Sequence, residues 1–283
     1  MIIDMHVHPI FFEGICEDEK TLKFREDQFG IFKQSPYPFD EIFAEMDYGK
    51  IDKAVLLPED LTTVSGGCVV TNEEVQKTVA THPDRFIGFA SVDPHRKDAL
   101  DVLDYAFGEL KLSGLKLNPS KQKFYPQDER LKAIYQKCIA YNKPIVFHAG
   151  MSWEPDAPAK YSQPIHFDEV AASFPELRMC LSHFGWPWVR ETMMLLIKYP
   201  NVYTDTSMLY LDSPETFFEY IFQREMDRYT MDRNFGSQVM FGSNTPRFRA
   251  FKLKEALETV PMRSATREKI MGTNALRFLG LEE

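Results

Sequence analysis

Short runs rich in β-branched and aromatic residues recur along the chain at 2–8, 53–58, 86–93, 114–119, 144–150, 178–185, 202–207 and 239–243. Several are apolar without alternation, as in Pro144-Ile145-Val146-Phe147, which suits a parallel strand covered on both faces better than a half-exposed one. Between most of them lie charged stretches with apolar residues at helical spacing, over 72–81, 98–110, 128–141, 187–198, 214–224 and 249–259. The repeat is roughly the ~30 residues of a βαβ unit. Eight strand-then-helix units predict an α/β fold of the (β/α)8 TIM-barrel type. The competing doubly wound open sheet is expected to carry a GxGxxG or GxxxxGKS/T turn after a strand. No such turn follows any of these runs.

At 283 residues the chain fits the ~250 residues of one such barrel, so a single domain over 1–283 is expected. Two stretches, 9–38 and 151–164, lack periodicity and follow expected strands. Loops at that end of a barrel build its active site, and long ones are usually functional. Both are read as lid-like loops, with Phe11, Phe12, Tyr37 and Trp153 as their apolar contacts.

Composition narrows the class further. Hydrophobic residues make up 44%, with 23 Phe and 12 Tyr, enough for an ordered core without covalent staples. A net charge of −9 and a pI near 5.4 repel nucleic acid and anionic membrane. The expected partner is therefore a small-molecule substrate, and assembly into a homo-oligomer stays open. Met1-Ile2-Ile3-Asp4 has no leader character, and no run approaches the ~20 apolar residues of a membrane span, so a cytoplasmic protein is expected. Cys16, Cys68, Cys138 and Cys180 are too scattered for a disulfide framework. Cys138 and Cys180 read as core residues, Cys16 and Cys68 as loop thiols.

In Asp4-Met5-His6-Val7-His8, strand alternation puts both imidazoles on one side at the end of the first strand. Taken alone, such a pair is more often chance or two satisfied core histidines. His148 closes the fifth run and His183 the sixth, so four of the seven histidines fall where barrel chemistry sits. Neutral imidazoles on fixed strands suit zinc and related divalent ions.

These segments, with Gly114-Leu115-Lys116-Leu117-Asn118-Pro119, Phe241-Gly242-Ser243-Asn244-Thr245-Pro246 and the closing stretch 269–281, resemble the amidohydrolase-2 branch of the amidohydrolase superfamily. That branch includes aminocarboxymuconate-semialdehyde decarboxylase-like enzymes and small lactonases, and the resemblance spans essentially the whole chain. It implies that His6, His8 and His148 bind one divalent metal, zinc first and manganese as the alternative. It also implies that His183 polarises substrate or shuttles a proton. The reaction implied is hydrolysis of a lactone, ester or amide in a carboxylated or sugar-derived substrate, through water whose pKa a cation lowers from 15.7 towards ~7. Non-oxidative decarboxylation is the alternative enzyme reading. A non-catalytic binding protein is a third.

In the family an aspartate after the eighth strand touches the metal and takes the proton, and the resemblance places Asn244 there. An amide oxygen can approach a metal, but it brings no charge and accepts no proton as a carboxylate does. Catalysis in the family's manner is expected to fail or be very slow. Two origins are open: a deliberate Asp-to-Asn change in a working enzyme, favoured because the four histidines are kept, or a natural variant that works differently or not at all. Lys116 reads as a substrate-facing ammonium or a core-lining lysine rather than a carboxylated metal bridge, with Asn118 on its face. Arg247 reads as a grip for a substrate carboxylate or a solvated helix-start residue. Trp153 and Trp186 read as pocket walls or packing. Asp205 is read as orienting His183 or as part of a capping cluster. His82 and His95 receive no catalytic role.

Overall fold

A computed structural model describes residues 1–15, 18–32, 35–208, 210–227 and 229–281. Cys16, expected as a loop thiol, lies outside the described residues. The strands in chain order are β1 (Ile3–Val7), β2 (Lys53–Leu56), β3 (Asp60–Leu61), β4 (Gly67–Cys68), β5 (Phe86–Gly88), β6 (Ala90–Ser91), β7 (Leu115–Leu117), β8 (Ile145–Phe147), β9 (Met179–Leu181), β10 (Val202–Asp205) and β11 (Val239–Met240). β3 and β4 pair as a small antiparallel hairpin that carries Cys68. The others pair in parallel, in the orders β1-β2-β5 and β6-β7-β8-β9-β10-β11.

Two seams join these ladders into a ring. β5 and β6 are parts of one strand parted at Phe89, whose N–H donates to Leu56 O (3.0 Å) while Ala90 N–H donates to Gly114 O (2.7 Å). At the other seam Met5 N–H donates to Phe241 O (2.9 Å), Asn244 N–H to His6 O (2.9 Å) and His8 N–H to Thr245 O (2.8 Å). The result is the (β/α)8 barrel that the alternating pattern predicted. Its strands are shorter than the apolar runs, because the runs continue into the loops that line the mouth.

Helices follow the strands. α1 (Glu19–Phe29) and α2 (Phe39–Tyr48) come after β1, then α3 (Thr62–Ser65) and α4 (Asn72–Thr81), α5 (Ala99–Gly108), α6 (Pro119–Gln122) and α7 (Glu129–Ala140). The remainder are α8 (Asp168–Ser173), α9 (Val189–Lys198), α10 (Pro214–Glu219), α11 (Ala250–Thr259), α12 (Ser264–Glu268) and α13 (Asn274–Leu279). α4 starts on a capping box in which Thr71 and Glu74 satisfy each other's backbone N–H. The lid-like loop expected over 9–38 needs correction, since α1 fills its middle. Asp18 caps α1 by accepting from Thr21 N–H, and Gly30 ends it in the left-handed conformation. The 151–164 stretch carries a short 3-10 turn at Ala159–Tyr161, and a second, Pro164–Phe167, begins at its end. Among the described residues no helix is long and apolar enough to cross a membrane.

Two apolar clusters show which way each strand faces. Ile3, Met5, Val55, Leu57, Ile87, Phe89, Val146, Cys180, Tyr203 and Met240 fill the barrel lumen, with Ala275, Phe278 and Leu279 of α13 packed against them. Arg178, just before β9, donates to Phe278 O (2.7 Å), which sets α13 at the amino-terminal end of the barrel. Ala54, Leu56, Phe86, Leu115, Leu117, Ile145, Phe147, Val202 and Phe241 face outward into the helix layer. Lumen-facing positions therefore step in twos towards the carboxyl end, and the next steps are Glu59, Asn118, His148, Asp205 with Ser207, and Gly242 with Asn244.

Candidate active site

β1 breaks this alternation. Ile3 and Met5 belong to the lumen cluster, yet Val7, of the same parity, belongs to the outer layer. The pairing with β2 shows why: Asp4 lies opposite Ala54 and Val7 opposite Leu56, so the strand carries one extra residue between them. This bulge turns His6 and His8 into the lumen directly after Met5, and bulges beside active sites commonly re-aim side chains in this way. Gly242 on the neighbouring strand leaves the space they need, since a Cβ there would lie 3.1 Å from His6 Cβ and 3.4 Å from Asp205 Cβ.

The hydrogen bonds then settle the tautomers. His8 Nδ1 lies 2.9 Å from Leu57 O, an atom that only accepts, so Nδ1 carries the proton. His6 Nδ1 donates likewise to Asp205 Oδ2 (2.9 Å). Burial pushes both rings below the ordinary imidazole value, so both are neutral and each Nε2 is a bare lone pair. These two Nε2 atoms face each other at 3.2 Å with no proton between them. Two nitrogens bound tetrahedrally to one ion at 2.0–2.1 Å stand about 3.3 Å apart. The donors therefore fit a divalent cation.

His148 and His183 complete the cluster, their ring centres 5.1 Å apart and His183 4.7 Å from His6. His148 Nε2 lies 3.0 Å from the Ser152 hydroxyl. His183 follows β9 in a left-handed conformation, with φ at 61°. The Ser207 hydroxyl donates to Asp205 Oδ1, leaving its oxygen to accept from His183 Nδ1 (2.7 Å), as Ser207 O does (3.0 Å). His183 Nε2 is thus the open nitrogen. Burial lowers His148 and His183 as well.

Asp205 stands behind both His6 and His183. Its carboxylate accepts from the His6 ring (2.9 Å) and from the His183 backbone N–H (2.9 Å), and it reaches the His183 ring through the Ser207 hydroxyl. Burial alone would raise Asp205, but the His6 ring beside it, by charge and hydrogen bond, and then His183 hold it below the usual carboxylate range. Among the described residues, metal-capable atoms of His6, His183 and Asp205 lie within 4.8 Å of one another. Asp205 is already committed to His6 Nδ1–H, so it stands as the carboxylate behind that ring.

One small cavity is lined by His8, His148, His183, Asn244, Trp153 and Arg247, together with Phe29, Glu59, Asn118, Lys121, Ser152 and Glu154. Trp153 stacks on Tyr210 (centres 5.2 Å apart), and Trp186 leans on the same ring (4.8 Å). Arg247 donates to Phe29 O (2.5 Å). Lys116 does not line this cavity; it sits in the lumen beneath, fully buried, and burial lowers its pKa. Sequence reasoning missed Glu59, Lys121, Ser152 and Glu154. Glu59 accepts from Asn118 Nδ2 (2.8 Å) and Lys121 Nζ (3.1 Å). Burial works to raise it, but the charges of Lys121 and Lys116 and these hydrogen bonds hold it below its ordinary value. Continuing the inward parity of Val55 and Leu57 past Pro58 points to Glu59; nothing local marks Lys121.

Comparison with known proteins agrees with this architecture. The chain is 24% identical to an uncharacterised TIM-barrel protein from Bordetella bronchiseptica, over 99% of this chain and 98% of that one, with a TM-score of 0.78. It is 18% identical to a 5-carboxyvanillate decarboxylase from Novosphingobium aromaticivorans, crystallised as an Asp-to-Asn variant with manganese and 3-methoxy-4-hydroxy-5-nitrobenzoic acid (99% and 97% covered, TM-score 0.69). A 4-oxalomesaconate hydratase from Rhodopseudomonas palustris is also 18% identical (99% and 96% covered, TM-score 0.68). Protein fluG of Emericella nidulans is 36% identical over 69 residues, which span 24% of this chain and 8% of that protein. The Amidohydrolase family profile matches residues 3–281, and on that match the chain belongs to the amidohydrolase family.

Proposed function

We propose that this protein is a divalent-metal-dependent enzyme acting on a small carboxylated molecule, with hydrolysis of a lactone, ester or amide as its reaction. The observation that carries this is the pair of facing lone pairs on His6 and His8, 3.2 Å apart, with His8 lining a cavity together with His148 and His183. His6, His8 and His148 are the protein nitrogens for the ion, with zinc as the first candidate because imidazole suits it. A bound divalent ion supplies Lewis acidity to a substrate oxygen or to water.

The chain's own residues do the rest. His183 presents Nε2 to the cavity as the group that exchanges a proton with substrate. Arg247 offers its planar guanidinium to a substrate carboxylate, and Trp153 covers the substrate's apolar face. Asn244 accepts no proton, so hydrolysis draws on a carboxylate of the cavity wall, Glu59 or Glu154.

Decarboxylation is the second reading, favoured by Asn244 itself. Loss of carbon dioxide from a carboxylate consumes a proton at carbon and needs no base to activate water, so an amide at this position harms it less. The two reactions differ in proton balance at neutral pH. The metal-loaded protein is incubated with lactones and esters, then with aromatic and enolic carboxylic acids, while acid and carbon dioxide are followed together. Hydrolysis of a lactone or ester releases acid; decarboxylation releases no net acid and yields carbon dioxide. Turnover in the chain or in Asn244→Asp that chelation abolishes supports an enzyme. Silence of both metal-loaded proteins on both panels would leave a binding protein as the better reading.

A further inference from the structure

A second cavity lies outside the barrel, between α2, the start of α11 and the seam where β1 meets the chain after β11. Its volume is about 130 Å³. Val7, Phe11, Phe12, Met46, Ala54 and Phe86 supply its apolar walls, and all of them are buried in the fold. Outside it, α2 is held to α11 by the edge-on rings of Tyr48 and Phe251, 5.0 Å apart, and by the Glu45–Arg249 ion pair (3.1 Å) at the cavity rim. Both partners of that pair face water, and such pairs contribute little, so the rim opens without disturbing the core.

The polar side chains on the inner wall are already spent. Asp4 accepts from the Ser243 hydroxyl (2.6 Å) and from the Ser243 and His6 backbone N–H groups (2.9 and 3.1 Å). The Thr245 hydroxyl donates to Phe248 O (3.0 Å), and His8 Nδ1–H donates to Leu57 O (2.9 Å). A buried water needs about two to four polar partners, and this wall has few left to give. An apolar cavity of roughly 150 Å³ stays dry and takes up benzene, so the space here suits about one aromatic ring. At the rim Glu41 and Glu45 stand against Arg249 in a chain of net charge −9, which disfavours an anion.

We propose that this cavity is a second ligand site, for a neutral apolar molecule about the size of one aromatic ring. It goes beyond the metal reading and does not depend on it. The inner wall is the stretch of chain that also shapes the mouth. His8 lines both cavities, its backbone N–H donates to Thr245 O (2.8 Å), and Thr245 lines the outer cavity directly after Asn244. A molecule seated there contacts His8 without entering the mouth.

The test uses toluene and the metal-free protein. Calorimetry is expected to show one toluene bound per chain, with a raised melting temperature, since a ligand that binds only the folded state stabilises it. In NMR the His8 ring signals should move, and those of His95 and His166, which line neither cavity, should not. Crystals under xenon pressure should hold xenon among Phe11, Phe12 and Phe86. Ala54→Leu pushes an isobutyl group into the space and is expected to weaken toluene at least tenfold. Ala250→Phe fills it from α11 and carries the test if Ala54→Leu does not fold. Benzoate, with the same ring and a charge, should not displace toluene. Ordered water in place of xenon, toluene affinity unchanged in a folded variant, or displacement by benzoate overturns the inference, and none of these results bears on the metal reading.

Discussion

At the scale of single residues, the site depends as much on what is small as on what is reactive. Gly242 has no side chain, and a methyl group there would press on His6 Cβ at 3.1 Å and on Asp205 at 3.4 Å. Neither neighbour can move freely, since His6 is bonded to Asp205 and Asp205 in turn to the His183 backbone. Gly242→Ala is therefore expected to destabilise the fold by ~1–3 kcal/mol, as overpacking typically does. Urea unfolding measures this; an unchanged midpoint would mean that the strands spread to admit the methyl and that His6 is not locked. The imidazoles were legible in the chain because histidine at the end of an apolar run is chemically conspicuous. The partner of Asp205 was not, because His6 lies 199 residues away in sequence.

Whole elements add a second kind of information. The bulge in β1 comes from pairing with β2, and alternation read along one strand cannot reveal it. His6 and His8 still share a side, as alternation implied, but Met5 shares it too. Around the mouth, Lys121 on α6 ties separate segments together. Its Nζ donates to Gln28 O in α1 (2.8 Å), meets Glu59 beyond β2 (3.1 Å) and Glu154 after β8 (3.3 Å), and lies 4.2 Å from the Phe29 ring centre. Lys121→Met would leave Glu59 buried and charged beside Asn118 alone. Breaking a buried pair from one side costs about 3–5 kcal/mol. A lower melting temperature is expected, with faster amide exchange in α1 and around Glu154 than in the barrel strands. Unaltered exchange in both segments would show that Lys121 does not hold them. Asp18 and Gly30 flank α1 as ordinary cap signals, so that helix was available in the sequence. The three acceptors of Lys121 come from one helix and two loops and were not.

For the molecule as a whole, the buried histidines set how stability depends on pH. The unfolded chain protonates these rings as pH falls through about 6.5, whereas His6, His8, His148 and His183 in the fold, with pKa values lowered by burial, resist doing so. Where the unfolded state binds more protons, stability falls on acidification, by up to ~1.4 kcal/mol per pH unit for each ring. Asp4 opposes this. Burial raises its carboxyl to about 7 despite hydrogen bonds from Ser243 and His6, so the stability it lends is lost as pH rises from about 4 to 7. Four rings outweigh one carboxyl. Metal-free protein should melt higher at pH 7.5 than at pH 5.5 by calorimetry, and a flat or reversed profile would mean that the rings titrate as in water. Hydrophobic periodicity along the sequence was enough to determine the barrel, because eight strand–helix units with apolar strands bury their surface by closing on themselves. Histidine placement pointed to the mouth of that barrel. Only the tertiary structure decided which atoms meet there: the facing Nε2 lone pairs, the carboxylate behind His6, the amide of Asn244 donating to Met208 O and the lysine buried in the lumen. Each depends on contacts between strands far apart in the chain, whose register and bulge are set by packing across the barrel.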